Sequence, residues 1–153
     1  MYFASNRRGQ YQIWKAPFEG GPARQLTQGS GLDPVESPDG KRLYYFRPDA
    51  EGMWTLPVAG GREERIPELG PLKRTRAWTV RENGIYFYED GPASTPLVQF
   101  FSFATRRVTT LLTLANASVR FVPGLDVSPD GRVLLYTQTD HKIEGLFMIE
   151  NFR

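Results

Sequence analysis

The chain has 153 residues, 40% of them hydrophobic and 13% aromatic, and its 19 basic and 17 acidic side chains give a formal charge of +2. That length suits one domain with a sizeable core, and the even spread of apolar residues excludes intrinsic disorder. With no cysteine in the sequence, disulfides, thiolate zinc sites and cysteine nucleophiles are excluded together.

In chain order the sequence reads as short strands punctuated by turns. The opening "MYFASNRRGQ" has no apolar h-region and is not a signal peptide. No window approaches the roughly 18–20 uninterrupted apolar residues of a membrane span. "IWKAPFEGGPARQLT" (13–27) gives a strand, a Gly-Gly turn and a second strand. "ESPDGKRLYYF" (36–46) then places a Ser-Pro-Asp-Gly turn before an aromatic run. "MWTLPVAGGREERIP" (53–67) repeats the first segment at an offset of 40, pairing Trp14 with Trp54, Pro17 with Pro57, and Gly20-Gly21 with Gly60-Gly61. "RENG" (81–84), followed by "IYFYE", reads as a degraded copy of the Ser-Pro-Asp-Gly turn. "VQFFSFATRRVTTLL" (98–112) is a weaker third copy of the Trp-Pro-Gly-Gly segment. "VSPDGRVLLYT" (127–137) restores the tetrapeptide, and "LFMIENF" (146–152) begins a fourth unit.

Taking Gly40, Gly84 and Gly131 as equivalent turn glycines gives spacings of 44 and 47 residues. Each unit holds four strand-like runs, A to D, rich in Tyr, Phe, Val, Leu and Thr and bounded by Gly, Pro, Asp and Asn. In the second unit these are about 33–36, 42–47, 53–58 and 62–67. No segment sustains a 3.6-residue apolar period, so helix content is expected near zero. In the tetrapeptide, Pro presets φ, Asp binds the local backbone and Gly supplies the left-handed conformation, so the motif predicts a hairpin turn and not a nucleophile. Trp14, Ala16 and Phe18, then Trp54, Leu56 and Val58, are expected to line one packed face of strand C.

Four-stranded units of this period, stacked radially, predict an all-β fold: a β-propeller of antiparallel blades. The units are approximately 1–27 (strands B–D), 33–67 (A–D), 77–114 (A–D) and 124–153 (A–C), about three and a half blades. An open blade face and unpaired strand edges are an aggregation hazard. The chain is therefore expected to be the C-terminal portion of a longer propeller, or to complete its ring with another copy.

Chemistry-bearing constellations are scarce. His141, the one histidine, lies beside Asp140 in a predicted B–C loop with no G-x-S-x-G motif in the chain, and it reads as a solvated loop residue. One imidazole cannot make the usual zinc cluster, and no D-x-D-x-D-G loop supports calcium at Asp33, Asp90 or Asp140. No cofactor or metal is therefore expected. Glu63 and Glu64 lie on opposite faces of strand D and read as charges guarding a sheet edge. Arg7, Arg8, Lys73, Arg74, Arg76, Arg106 and Arg107 are spread over several loops and edges. They do not form the gathered basic groove that nucleic acid needs.

The segment "YFASNRRGQYQIWKAPFEGGPARQLT" (2–27) resembles the repeat of TolB-like propellers. There a strand ending in Ser leads through an Arg-x-Gly loop to an Ile-Trp strand, a Gly-Gly turn and a closing Arg-x-Leu-Thr. "SPDGKRLYYF" and "SPDGRVLLYT" resemble the same family's hairpin. The likeness spans essentially the whole chain, with the third unit departing at both the Ser-Pro-Asp-Gly and the Gly-Gly positions. "GLFMIENFR" also resembles the C-terminus of large bacterial proteins that carry such a propeller after a kinase or winged-helix domain.

The expectation is a non-catalytic module that binds a protein or peptide, as a scaffold or sensory part of a larger bacterial protein. Its location is expected to be periplasmic within a longer exported protein, with the cytoplasm as the alternative. The D–A and B–C loops, about 5–10, 28–33, 48–52, 70–76, 89–96, 115–124 and 138–145, should form the binding face. Within them the candidate residues are Arg7, Arg8, Asp49, Arg74, Arg76, Asp90 and His141. The alternative function is the substrate-gating propeller of a prolyl-oligopeptidase-like serine peptidase whose catalytic domain lies elsewhere.

Overall fold

The computed structural model describes residues 1–50, 52–70, 72, 77–92, 95–114, 124–140 and 143–150, with backbone alone for 138–140 and 143–147. Two compact units divide the chain, Met1–Arg74 and Thr75–Arg153.

The first unit holds two antiparallel sheets. One runs in the order β1 (Tyr2–Ser5), β2 (Gln12–Lys15) and β3 (Arg24–Gln25). The other runs β4 (Leu32–Glu36), β5 (Arg42–Phe46), β6 (Met53–Pro57) and β7 (Glu64–Arg65). Each strand pairs with its neighbour in sequence, so both sheets are meanders built from local hairpins. Ile13 and Leu26 of the first sheet pack against Leu43, Tyr45 and Leu56 of the second, with Tyr2, Trp54 and Val58 around them. The alternation of the strand puts Leu43 and Tyr45 on this face. Tyr44 and Phe46, on the other face of β5, are buried as well. Both faces of β5 are thus buried, in keeping with a run, "LYYF", that carries no charged residue.

The second unit repeats the plan. Its sheets are β8 (Trp78–Arg81), β9 (Gly84–Asp90), β10 (Pro96–Ser102) and β11 (Val108–Thr113), then β12 (Leu125–Val127), β13 (Val133–Asp140) and β14 (Ile143–Glu150). Ala77, Tyr86 and Val98 meet Leu125, Val127 and Leu134 in one core, and full burial of each larger side chain is worth about 1.5–3 kcal/mol. Four antiparallel sheets of three, four, four and three strands are the blades of an incomplete β-propeller. Among the described residues the helical content is confined to 3-10 conformation, Pro67–Leu69 being a full turn, and no helix is long and apolar enough to cross a membrane.

Both Ser-Pro-Asp-Gly turns close on themselves through the same bonds. The Ser37 hydroxyl donates to Asp39 Oδ1 (2.6 Å) and accepts from the Arg42 amide (2.9 Å), while the Lys41 amide donates to Asp39 (3.1 Å). Ser128, Asp130, Arg132 and Val133 reproduce this pattern. Gly40 and Gly131 take the left-handed conformation, at φ 70° and 69°. The serine and aspartate are thus consumed by the turn itself.

Two expectations need correction. Gly84 is not a turn glycine. Arg81 pairs with Gly84 around the two-residue turn Glu82–Asn83, and Gly84 opens β9, where an added Cβ would lie 2.0 Å from the Phe101 carbonyl oxygen. Close approach of β10, not chain reversal, requires glycine there. Phe18 is not packed. It lies beyond the end of β2 and is 92% exposed, whereas Trp54 and Leu56 do contribute to the core. In the third sheet's weak repeat the left-handed residue after β10 is Arg106, at φ 57°, where the earlier copies use Gly-Gly.

Candidate functional site

The densest polar cluster of the first unit joins two of the expected binding loops. Arg47, just past β5, lies over the Trp54 ring with its guanidinium 4.4 Å from the centroid. It donates to both oxygens of Asp49 (3.1 and 2.9 Å) and reaches Glu63 Oε2 at 3.4 Å. Glu63 also accepts the Tyr45 hydroxyl (2.8 Å) and the backbone amides of Gln28 (2.5 Å) and Gly29 (3.3 Å). The Ser30 hydroxyl donates to Asp49. The D–A loop at 28–30, leaving the first sheet, is thereby tied to the B–C loop at 47–50 of the second. Gly29 permits the approach, because a Cβ there would fall 2.3 Å from an Arg47 nitrogen.

Three members of the network are shifted from their ordinary titration ranges. The Arg47 guanidinium, with help from Ser30, holds the Asp49 carboxyl well below the usual carboxylate range. Burial first, then the bond to Glu63, pushes the Tyr45 phenol far up. The Asp49 bonds push Arg47 up, so its charge is permanent. Side-chain exposures of 17% for Arg47 and 12% for Glu63 make this a half-buried ion pair rather than a surface one, and such pairs lose most when one partner is removed.

That placement corrects the expectation for Glu63. It precedes the two-residue β7 and points inward as an acceptor for four donors. Glu64, one position on, faces away and pairs with Arg42 at 2.9 Å. The two carboxylates do lie on opposite faces, but only Glu64 is free to guard an edge.

Asp49 belongs to this network. Arg7 and Arg8 lie together between β1 and β2, over the Trp14 ring at 4.5 and 5.5 Å. Asp90 ends β9, opposite Pro96 in the register with β10, and is exposed. Arg74, Arg76 and His141 lie outside the described residues. Sequence reasoning missed Arg47, Glu63, Ser30 and Tyr45. The signal was present in the recurrence of an arginine ahead of each strand-C tryptophan, Arg7 before Trp14 and Arg47 before Trp54.

In the second unit the polar link lies nearer the A–B turns. Arg81 donates to the Val127 carbonyl oxygen (2.6 Å) and to Asp126 (2.5 Å), and Asp126 accepts the Thr79 hydroxyl (3.0 Å). Beside it a cleft of about 450 Å³ is lined by Thr79, Gly124, Leu125, Asp126, Leu135, Tyr136 and Thr137. Among the described residues no group of three or more His, Asp or Glu could hold a metal ion.

No protein-family model matches the chain, and no curated protein matches it. Solved structures do. The crystal structure of TolB from Acinetobacter baumannii aligns with a TM-score of 0.78 at 18% identity, over 99% of this chain and 38% of that one. A candidate TolB from Agrobacterium tumefaciens aligns at 0.77 and 16% identity, over 99% of this chain and 57% of that one. A chain of the nidogen/laminin complex aligns at 0.66 and 14% identity, over 93% and 53%. The chain thus spans 38% and 57% of the two TolB structures.

Proposed function

From the premise that this chain has a TolB-like β-propeller fold, we propose that it is a non-catalytic module binding a protein or peptide through its D–A and B–C loops. The observation that carries this reading is the lock between Gln28, Gly29 and Ser30 on one loop and Arg47, Asp49 and Glu63 on or beside the other. It holds two connecting segments of neighbouring sheets in one fixed arrangement, and a pre-ordered loop surface binds without paying again for its own ordering. The same network is poorly suited to acid–base work, which needs a group titrating near the working pH. Asp49, Arg47 and Tyr45 are all driven away from neutrality. A propeller of similar fold occurs in the nidogen/laminin complex, itself an assembly of two proteins. On this reading the segment works within a longer exported, periplasmic protein, and reading the flanking coding sequence tests that setting.

Selection from a random displayed-peptide library against the 153-residue chain tests the binding face. Selected peptides should lose about tenfold in affinity on Asp49→Ala or Arg7→Ala, and keep it on Asp39→Ala or Asp130→Ala in the Ser-Pro-Asp-Gly turns. Binders sensitive only to the turn variants would overturn the proposal. So would a G-x-S-x-G hydrolase encoded beside this segment, together with peptide turnover by the pair.

A further inference from the structure

The two sheets of the first unit carry the same cation-on-tryptophan device with one difference. In the second sheet Arg47 stacks on Trp54 and is neutralised by Asp49 and Glu63. In the first, Arg7 stacks on Trp14 at nearly the same distance and Arg8 is added beside it. Strand register fixes what replaces the anions. Trp14 pairs with Gln25 as Trp54 pairs with Arg65, so Ala23 stands where Glu63 stands. Trp14 pairs with Phe3 as Trp54 pairs with Tyr45, so the hydroxyl that donates to Glu63 is missing as well. The loop "NRRGQY" (6–11) contains no carboxylate at all.

The first sheet therefore keeps the aromatic shelf, doubles the cation and omits the counterions. The acceptors its arginines do find are neutral: Ser5 Oγ for Arg7 (3.1 Å) and Gln25 Oε1 for Arg8 (3.1 Å). Trp14 is 5% exposed, and its indole N–H has no acceptor among the described residues, whereas the Trp54 N–H donates to the Ala50 carbonyl at 3.3 Å. Two adjacent exposed guanidinium groups that find only neutral acceptors suit an external oxygen acceptor carrying negative charge.

We infer that the Arg7–Arg8–Trp14 face takes carboxylate side chains from an acidic peptide segment of a protein partner, supplying from outside what Asp49 and Glu63 supply internally one repeat later. This rests on the peptide-binding reading above and names the chemistry of the partner.

The test is fluorescence anisotropy of a capped Glu-Gly hexapeptide with a neutral label, titrated into the 153-residue chain. Its Gln-Gly twin should bind about tenfold more weakly, and the Arg7→Ala/Arg8→Ala variant should lose about as much. Binding should weaken as salt rises, since these arginines are exposed. Ala23→Glu, which gives Arg7 an internal partner on the pattern of Glu63, should cost at least about fivefold while leaving the melting temperature unchanged or raised. Arg106→Ala/Arg107→Ala, an equally adjacent pair in the second unit, should change nothing. The inference is overturned if the Gln twin or a single-stranded oligonucleotide of equal charge binds as tightly, or if the Arg106/Arg107 pair matters as much. It also falls if Ala23→Glu has no effect, or if sedimentation shows a dimer of this chain that Arg7→Ala dissolves. Neutral peptides selected from the library and lost on Asp49→Ala would leave the binding reading standing while this one falls.

Discussion

Each unit joins two sheets over an apolar core, yet the polar link across the junction sits at opposite ends. In the first unit it lies where the D–A and B–C loops meet and uses two carboxylates, one arginine and two backbone amides. In the second it lies beside the A–B turns, where Arg81 crosses from β8 to the Val127 carbonyl and Asp126. The A–B turns of the two four-stranded sheets also differ in sequence. The second sheet's A–B turn is Ser-Pro-Asp-Gly, whose polar groups are satisfied within the turn. The third sheet's is Arg81-Glu-Asn-Gly, which lacks the serine and the proline, and its leading arginine reaches to the next sheet instead. In the second unit the residue that leads into this shorter turn thus joins the junction.

Breaking each link separately should expose this asymmetry. The largest effect is expected from Glu63→Ala, which strands the Tyr45 hydroxyl, releases the Gln28 and Gly29 amides and removes half the neutralisation of Arg47, at a cost of about 3 kcal/mol. Hydrogen exchange should speed up at 28–30 and 47–50 and stay unchanged at 124–137. Equal acceleration in both stretches would refute independent junctions. Next is Arg81→Ala, expected to cost about 2 kcal/mol through its charge-assisted bonds to Asp126 and Val127. Exchange should rise around 126–128 and leave Gln28 and Gly29 protected.

The smallest effect is a dependence on pH carried by Asp49. Its carboxyl ionises more readily in the fold than in the unfolded chain, where the value is about 3.9. The folded state then binds fewer protons, so the contribution of Asp49 is complete above about pH 4 and fades as the pH falls through the folded value. Comparing acid denaturation of the chain with Asp49→Asn should show a shallower acid limb in the variant. Unchanged limbs would show that the Arg47–Asp49 pair adds nothing at that junction.

Much of the architecture was legible because its signals are local. Ser37-Pro-Asp-Gly40 and Ser128-Pro-Asp-Gly131 each contain their whole hydrogen-bonding logic, and the Trp-Pro-Gly-Gly register carries from Trp14 to Trp54. The loop lock was illegible for the opposite reason. Gln28, Arg47 and Glu63 are far apart in sequence, and nothing in "GREER" distinguishes an inward Glu63 from an outward Glu64 until the two-residue length of β7 is known. Gly84 misled because glycine serves both chain reversal and close packing, and only the position of β10 separates the two. Arg7 and Arg8 were singled out from loop position alone. What sets them apart from Arg47 is Ala23, which stands at the register position that a glutamate holds in the next sheet.

The meander order of the sheets bears on how the chain folds. Every pairing joins strands adjacent in sequence, so the hairpins can close on a microsecond scale before any sheet meets its neighbour. The Ser-Pro-Asp-Gly turns, complete in themselves, are the natural nuclei. The links between sheets need two finished hairpins to face each other, so an interaction absent from the folding transition state would show itself in the unfolding rate.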